Sequence, residues 1–359
     1  MRTDDNLLAI IMAGGSGTRF WPLSTDSRPK QFLELFDDRT LLQKSFDRLS
    51  GLLPSQRIMV LTNQAFVEMV REQLPELPVE NVVGEPMRRD TAAAICLGAL
   101  LGRKRFGNPV IATLTADHLI EPIDVFQKTL VSAAAAAREA RCLYTFGIRP
   151  SYPATGYGYL EMEKRLDTSD QIEHYQLANF REKPDLETAR LYAQSGKHYW
   201  NSGMFVWTAE AILEEFEAHL PIHLESISTA IDLAGEPGWM DALTKSFEPL
   251  EAISIDYGVM ERARDVRSVV APFSWADVGG WMALKEFLPR DDSGNSFRGR
   301  LETLDSTGNL VYCEDPDELV VMVGVEGLVA VRAGNRTLIA REDRVEEIKS
   351  IVQAMQGRY

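Results

Sequence analysis

Short apolar runs alternate with helix-period segments through the first 150 residues. Leu7–Met12 is an unbroken apolar run that predicts a buried strand, and Arg57–Leu61, Val79–Val83, Val110–Leu114 and Cys142–Gly147 predict four more. Between these runs, apolar positions recur at helical spacing over Leu41–Leu49, Gln64–Leu74, Thr91–Lys104 and Asp124–Ala140. Strands and helices alternating at this spacing imply βαβ units and a mostly parallel sheet, whose ligands bind beyond the carboxyl ends of the strands.

The rhythm changes after residue 150. Aromatic and Gly-rich pieces at Tyr157–Glu161 and Trp200–Trp207 predict strands, while Leu186–Ser195, Ala209–Ala218 and Gly280–Phe287 predict helices. The run from Pro289 to Gly294 is rich in turn formers and marks a boundary, dividing the chain into 1–289 and 290–359. Beyond it, Leu310–Cys313, Leu319–Val325, Leu328–Arg332 and Thr337–Ala340 predict a small β appendage punctuated by glycines. Val345, Ile348, Ile351, Val352 and Met355 keep helical spacing and predict a terminal docking helix. No strict repeat is visible.

Composition narrows the function. Of 359 residues, 45% are hydrophobic and 25% charged, ordinary for a globular protein, and a chain this long buries roughly three quarters of its unfolded surface without staples. The net charge of −15 argues against a nucleic-acid coat, which needs a basic footprint. Cys96, Cys142 and Cys313 are odd in number and widely spaced, so buried reduced thiols are expected rather than a disulfide framework or zinc site. No apolar run approaches the ~20 residues of a membrane span, and the acidic start at Asp4-Asp5 is unlike a secretory signal, so the expectation is a cytoplasmic protein with no membrane partner.

The strongest local feature is the segment from Leu8 to Phe32. A buried strand runs through Ala13 into Gly14-Gly15-Ser16-Gly17-Thr18, where successive backbone amides can approach an anion with no Cβ in the way. Arg19 and Lys30 follow as cations, and backbone donors with Arg and Lys suit a polyphosphate. A P-loop would need Lys after the last Gly, and a dinucleotide fingerprint would need Gly at the position held by Phe20; neither pattern is met. A tight glycine turn with a surface Arg and Lys is the alternative.

The letters GGSGTRFWPLS and RPKQF in this segment resemble the signature of the sugar-nucleotide pyrophosphorylase family, and within it the guanylyltransferases that act on mannose 1-phosphate. The resemblance continues in family order through Glu85-Pro86, Arg89-Asp90-Thr91-Ala92, Ala116-Asp117-His118 and Thr155-Gly156-Tyr157-Gly158-Tyr159. It goes on through Phe180-Arg181-Glu182-Lys183-Pro184, Trp200-Asn201-Ser202-Gly203-Met204-Phe205, Ser254-Ile255-Asp256-Tyr257 and Trp275-Ala276-Asp277-Val278-Gly279-Gly280-Trp281. Phe20 replaces a usual Leu, Thr115 and Ala93 a usual Pro, and Ala276 and Gly280 a common Ser; none of these removes a charged group.

What the resemblance implies is specific. The fold is α/β: a Rossmann-like, GT-A-like nucleotidyltransferase with a mixed sheet flanked by helices over 1–289, then a small β-helix-like domain with a terminal helix over 290–359. Longer relatives carry a further phosphomannose isomerase domain, and the chain is expected to be the short form. The reaction is GTP plus mannose 1-phosphate giving GDP-mannose and pyrophosphate with Mg²⁺, and a homodimer is the assembly to test. A related transferase with another nucleotide or hexose is the first alternative. A regulatory subunit that has lost catalysis is the second, opposed by the presence of Arg19, Lys30, Asp117, Lys183 and Asp277.

By the same resemblance, Arg19, Lys30, Asp117 and Asp277 are catalytic, and Asp117 and Asp277 ligate Mg²⁺ as hard oxygen donors. Each Asp could instead serve a turn or helix start. Ala13 through Arg19, Lys30, Glu85, Arg89 and Thr91 take the nucleotide. Glu85, following a predicted strand, is the candidate reader of guanine, whose N1–H and exocyclic amine lie side by side. Arg89 could meet phosphate or pair with nearby acids, and Thr91 could cap a helix. Gly156, Tyr157, Gly158, Glu182, Lys183, Asn201 and Asp256 take the sugar phosphate, with Lys183 on its phosphate and Glu182 and Asn201 on its hydroxyls. A solvated surface lysine, a structural Asp256 and a core Trp200 are the plainer readings.

Overall fold

The computed structural model describes residues 6–15, 18–168 and 171–355, with the side chain of Thr18 also outside the description. The chain divides into two compact units, one of residues 1–14, 45–116 and 120–275, the other of residues 15–44, 117–119 and 276–359.

The first unit is built on a nine-stranded sheet. Across it the order is Val82–Glu85, Ile58–Asn63, Leu7–Ala13, Val110–Thr115, His198–Thr208, Leu143–Ile148, Val266–Val270, His174–Arg181 and Tyr159–Leu166. The first four strands are mutually parallel, with Ala9 opposite Ile58 and Ala112. His198–Thr208 then runs antiparallel to both of its neighbours, and its far end also pairs with Tyr159–Leu166. The alternating apolar residues of the central strand serve two faces. Leu8 and Ile10 join a buried cluster with the helix Asp90–Phe106, which is apolar enough to bury eleven of its seventeen residues. That helix lies so close to the sheet that a Cβ at Gly98 would stand 2.7 Å from Ile10 Cδ1. The helix Ile123–Ala140 buries Phe126, Thr129, Leu130, Ala133, Ala134 and Ala137, a stripe at helical spacing.

One expected strand is displaced. Residues Val79–Asn81 form a 3-10 turn and the strand begins at Val82. The Asn81 amide explains the shift: it donates to the carbonyls of Ser55, Gln56 and Ile58, which a side chain in regular pleat could not reach together. The helices Pro221–Ile231 and Trp239–Phe247 and the strands His174–Arg181 and Val266–Val270 were not anticipated.

In the second unit the C-terminal chain winds as short parallel strands. Ser296–Arg298, Leu310–Cys313 and Leu328–Ala333 stack in parallel and close on antiparallel Arg336–Arg341, while Arg300–Leu304 pairs in parallel with Leu319–Val323. The coils are joined by asparagines: Asn309 Nδ2 donates to Asn295 Oδ1, and the Leu328 amide donates to Asn309 Oδ1, each at 2.9 Å. A 3-10 segment at Glu342–Glu347 leads into the final helix Ile348–Met355. Phe20, Leu23, Leu33, Trp281, Tyr312 and Ile348 share one buried cluster, so the residues that follow the glycine segment are cored together with the C-terminal coils.

Candidate active site

Backbone geometry marks several candidate positions. Among the described residues, five non-glycine positions have positive φ, and these include Asp90, Lys183 and Val278, at 62°, 43° and 44°. A β-branched residue in the left-handed region is strained, and such strain persists only where surrounding structure over-determines it. Val278 is fully buried, which holds it there and sets the direction of the neighbouring Asp277.

In the second unit, Lys30 organises the catalytic candidates. Its ammonium donates to Asp117 Oδ2 at 2.9 Å and to the Asp277 carbonyl at 2.5 Å. Burial works against ionisation of Asp117, but the Lys30 charge, with His118 4.0 Å away, holds its carboxyl below the usual range. The Asp277 carboxylate accepts the Gly279 amide at 3.0 Å. Arg19 donates to the Gly279 carbonyl at 3.3 Å and lies 3.7 Å from Glu346. Two carboxylates on Lys30-linked segments are hard oxygen donors. Among the described residues no group of three or more His, Cys, Asp or Glu side chains could hold a metal alone.

In the first unit, Ala13 ends the central strand with its carbonyl held by the Thr62 hydroxyl at 2.9 Å. A Cβ at Gly14 would lie 3.8 Å from Glu85 Oε1, so the glycine leaves room beside that carboxylate; Gly15, at the start of the second unit, has nothing within 4 Å of such a position. Ser16, Gly17 and the Thr18 side chain lie outside the described residues. Glu85 closes its strand opposite Asn63 at 8% exposure. Burial first, and the nearby Asp90 charge second, push its carboxyl up to about 8.

Arg89 and Thr91 face the segment 247–255. Arg89 Nε and Nη2 donate to the carbonyls of Phe247 and Glu248 at 2.9 and 3.0 Å, the Ile255 amide donates to the Thr91 hydroxyl at 2.8 Å, and the Ala92 amide donates to the Ile253 carbonyl at 3.2 Å. Thr91 lies within the first turn of the helix Asp90–Phe106, and its hydroxyl serves this distant segment rather than capping the helix.

The sugar candidates converge. Asn201 donates to Asp256 Oδ1 at 2.9 Å, while its own Oδ1 accepts from the Thr145 hydroxyl at 2.8 Å and its amide donates to the Gly158 carbonyl at 2.8 Å. Glu182, 8% exposed, pairs through Oε1 with Lys183 Nζ at 2.7 Å, and its amide donates to Glu261 at 2.8 Å. Its Oε2 is buried with no hydrogen-bond partner among the described residues. A Cβ at Gly158 would stand 2.4 Å from that oxygen, so any larger residue there must displace the Glu182 carboxylate. Burial, then the Glu182 charge, raise the Asp256 carboxyl to about 7. Desolvation works against the Lys183 charge, but its bond to Glu182 outweighs that and raises its pKa. Gly156 borders open space, and Tyr157 packs edge-on against Trp200 and Trp275. Glu261, four residues beyond the Ser254–Tyr257 motif, carries no sequence signal of its own.

The nucleotidyl transferase family model matches residues 8–293, and a MannoseP isomerase/GMP-like beta-helix domain matches residues 299–355. The chain is 36% identical over 352 residues to a mannose-1-phosphate guanylyltransferase of Escherichia coli, covering 97% of this chain and 75% of that one. It is 38% identical over 350 residues to a mannose-1-phosphate guanylyltransferase of Klebsiella pneumoniae, covering 97% and 73%. A crystal structure described as a mannose-1-phosphate geranyltransferase of Thermus thermophilus superposes with a TM-score of 0.86 at 33% identity, over 98% of this chain and all of that one. By sequence, domain content and fold, the chain belongs to the nucleotidyl transferase family and, within it, to the mannose-1-phosphate guanylyltransferases.

Proposed function

We propose that this chain makes GDP-mannose and pyrophosphate from GTP and α-D-mannose 1-phosphate. A phosphate oxygen of the sugar attacks the α-phosphorus in line, the new P–O bond forms, and the bond from the α-phosphorus to the bridging oxygen breaks to release pyrophosphate. The nucleophile is already an anion, so no strong general base is needed, and the protein's task is to position two polyanions and stabilise developing charge.

The observation that carries this reading is the cluster around Glu182. A buried carboxylate with one oxygen unpaired, beside an ammonium and a two-sided amide, matches a ligand that brings hydroxyls and a phosphate together. Glu182, Asn201 and Asp256 hold the mannosyl hydroxyls, Lys183 holds the phosphate, and Gly156, Tyr157 and Gly158 shape the wall. The glycine-rich segment Ala13–Thr18, Arg19 and Lys30 take the triphosphate, and Glu85 reads guanine from beside Gly14, while the Arg89 guanidinium and the Thr91 hydroxyl, bonded to the segment 247–255, support the site from the helix start. Asp117 and Asp277 fit Mg²⁺, which takes one or two protein carboxylates and completes its shell with phosphate and water. Bound there, the ion would supply Lewis-acid stabilisation of phosphoryl charge. Lys30 keeps Asp117 ionised and ready for that role.

No helix among the described residues is long and apolar enough to cross a membrane; the proposed site of action is the cytoplasm. The test is phosphorus NMR of the purified protein with GTP, mannose 1-phosphate and Mg²⁺. GDP-mannose and pyrophosphate should appear in equal amounts; hydrolysis of GTP to GDP and phosphate instead would refute the reading.

A further inference from the structure

One short turn serves two of the proposed sugar contacts. Residues Asp256–Met260 form a π turn, closed by the Glu261 amide donating to the Asp256 carbonyl at 2.9 Å. At its start Asp256 accepts the Asn201 amide; just past its end Glu261 accepts the Glu182 amide. π turns are rare, have looser hydrogen bonding than α-helix, and are found mostly at functional sites. Their first amides have no partner within the turn.

Ile255 leads into this turn and is 1% exposed, so its amide must find an acceptor inside the protein. That acceptor is the Thr91 hydroxyl, 164 residues earlier in the chain. The neighbouring bonds from Arg89 to residues 247 and 248, and from Ala92 to Ile253, fix the approach to the turn but do not touch the residue adjoining Asp256.

We infer that Thr91 is a positioning residue for the sugar pocket, whose hydroxyl fixes the entry of the turn 256–260 and so aims Asp256 at Asn201 and the sugar hydroxyls. This rests on the proposed assignment of Asp256 and Asn201 to mannose 1-phosphate. Thr91 follows Glu85 closely in sequence, so the helix start that flanks the base-reading carboxylate also holds the sugar-reading one. The hydroxyl is the active element, because Val matches Thr in shape but offers no acceptor.

Thr91→Val and Thr91→Ser test this by steady-state kinetics and by amide hydrogen exchange. Thr91→Val should raise KM for mannose 1-phosphate about tenfold while KM for GTP stays within about twofold, since a buried amide is left unpaired next to Asp256. It should also speed exchange in the peptide 250–261 and leave the central strand unchanged. Thr91→Ser should restore both readouts. A KM change for GTP alone, or a serine variant that behaves like valine, would overturn the inference. If the wild type does not turn over mannose 1-phosphate, the proposed function fails and exchange decides alone. Faster exchange in Thr91→Val, restored by serine, then supports the positioning role, and unchanged exchange refutes it.

Discussion

Lys30 donates to Asp117 across 2.9 Å, from a side chain only 9% exposed to one 37% exposed. The pairing lets one oxygen-rich side chain stay ionised and face solvent while its compensating charge is buried. Removing the carboxylate would leave the enclosed Lys30 ammonium uncompensated.

Asp117→Asn and Asp277→Asn should each lower kcat at least ~100-fold, as expected for groups that act on transition-state charge. Asp117→Asn should also lower the melting temperature, because it leaves the buried Lys30 ammonium unpaired, whereas Asp277→Asn, which meets Lys30 through its backbone carbonyl, should leave it little changed. Chelation by EDTA should silence the wild type, and added Mg²⁺ should restore it. Near-normal turnover in both variants would place the metal elsewhere. Initial rates with and without chelator provide the check.

Much of the nucleotidyltransferase sheet was legible because each parallel strand there is a dense apolar run between helical stripes. Leu7–Met12 and Val110–Leu114 lie within its observed strands, and in the C-terminal coils Leu310–Cys313 matches a strand. The half-exposed strand His174–Arg181 was missed because its burial does not alternate cleanly. The Val79–Val83 expectation failed because Asn81 is spent on three backbone carbonyls, a tertiary cost invisible to periodicity. At the site, family motifs pointed to Glu182 and Asn201, but nothing local could show that Arg89 spends its guanidinium on residues 158 positions away. Glu261 was unreadable for the same reason: its role exists only through the Glu182 amide.

Gly158→Ala should raise KM for mannose 1-phosphate more than tenfold and leave KM for GTP almost unchanged. The added methyl would meet Glu182 Oε2 at 2.4 Å, inside contact distance, and must displace the carboxylate or the strand entry. Titration of each substrate at saturating levels of the other separates the two constants. A rise confined to GTP would contradict the assignment.

Guanine binding should strengthen with pH. In the empty protein Glu85 holds its proton up to about 8, through burial and then the Asp90 charge, whereas base reading needs the ionised form. Below pH 8, kcat/KM for GTP should therefore climb by up to ~10-fold per unit and level off above it. Glu85→Gln should flatten that slope and narrow the preference for GTP over ATP. Because the folded pKa exceeds the ordinary 4.5, the same group contributes stability that is complete below 4.5 and is lost as pH rises through about 8. Urea unfolding of wild type and Glu85→Gln at pH 5 and pH 8.5 should show the wild type alone losing ground.

Trp281→Ala should cost about 3–5 kcal/mol of stability. The indole is 1% exposed, meets Phe20 and Tyr312 at ring-centroid distances of 5.1 and 5.2 Å, and donates to the Trp21 carbonyl. Because Phe20 directly follows Arg19, residual activity should fall further than the folded fraction does. Thermal melts read alongside specific activity make the comparison.

The most direct test of the account is a pyrophosphate-release panel of GTP, ATP, UTP and CTP, each against mannose 1-phosphate, glucose 1-phosphate and other hexose 1-phosphates, with Mg²⁺ present. GTP with mannose 1-phosphate should give the highest kcat/KM, with Glu182→Gln weakening use of the sugar and Glu85→Gln weakening the choice of base. Comparable release from another nucleotide or hexose 1-phosphate, or GTP preference unchanged in Glu85→Gln, would contradict it.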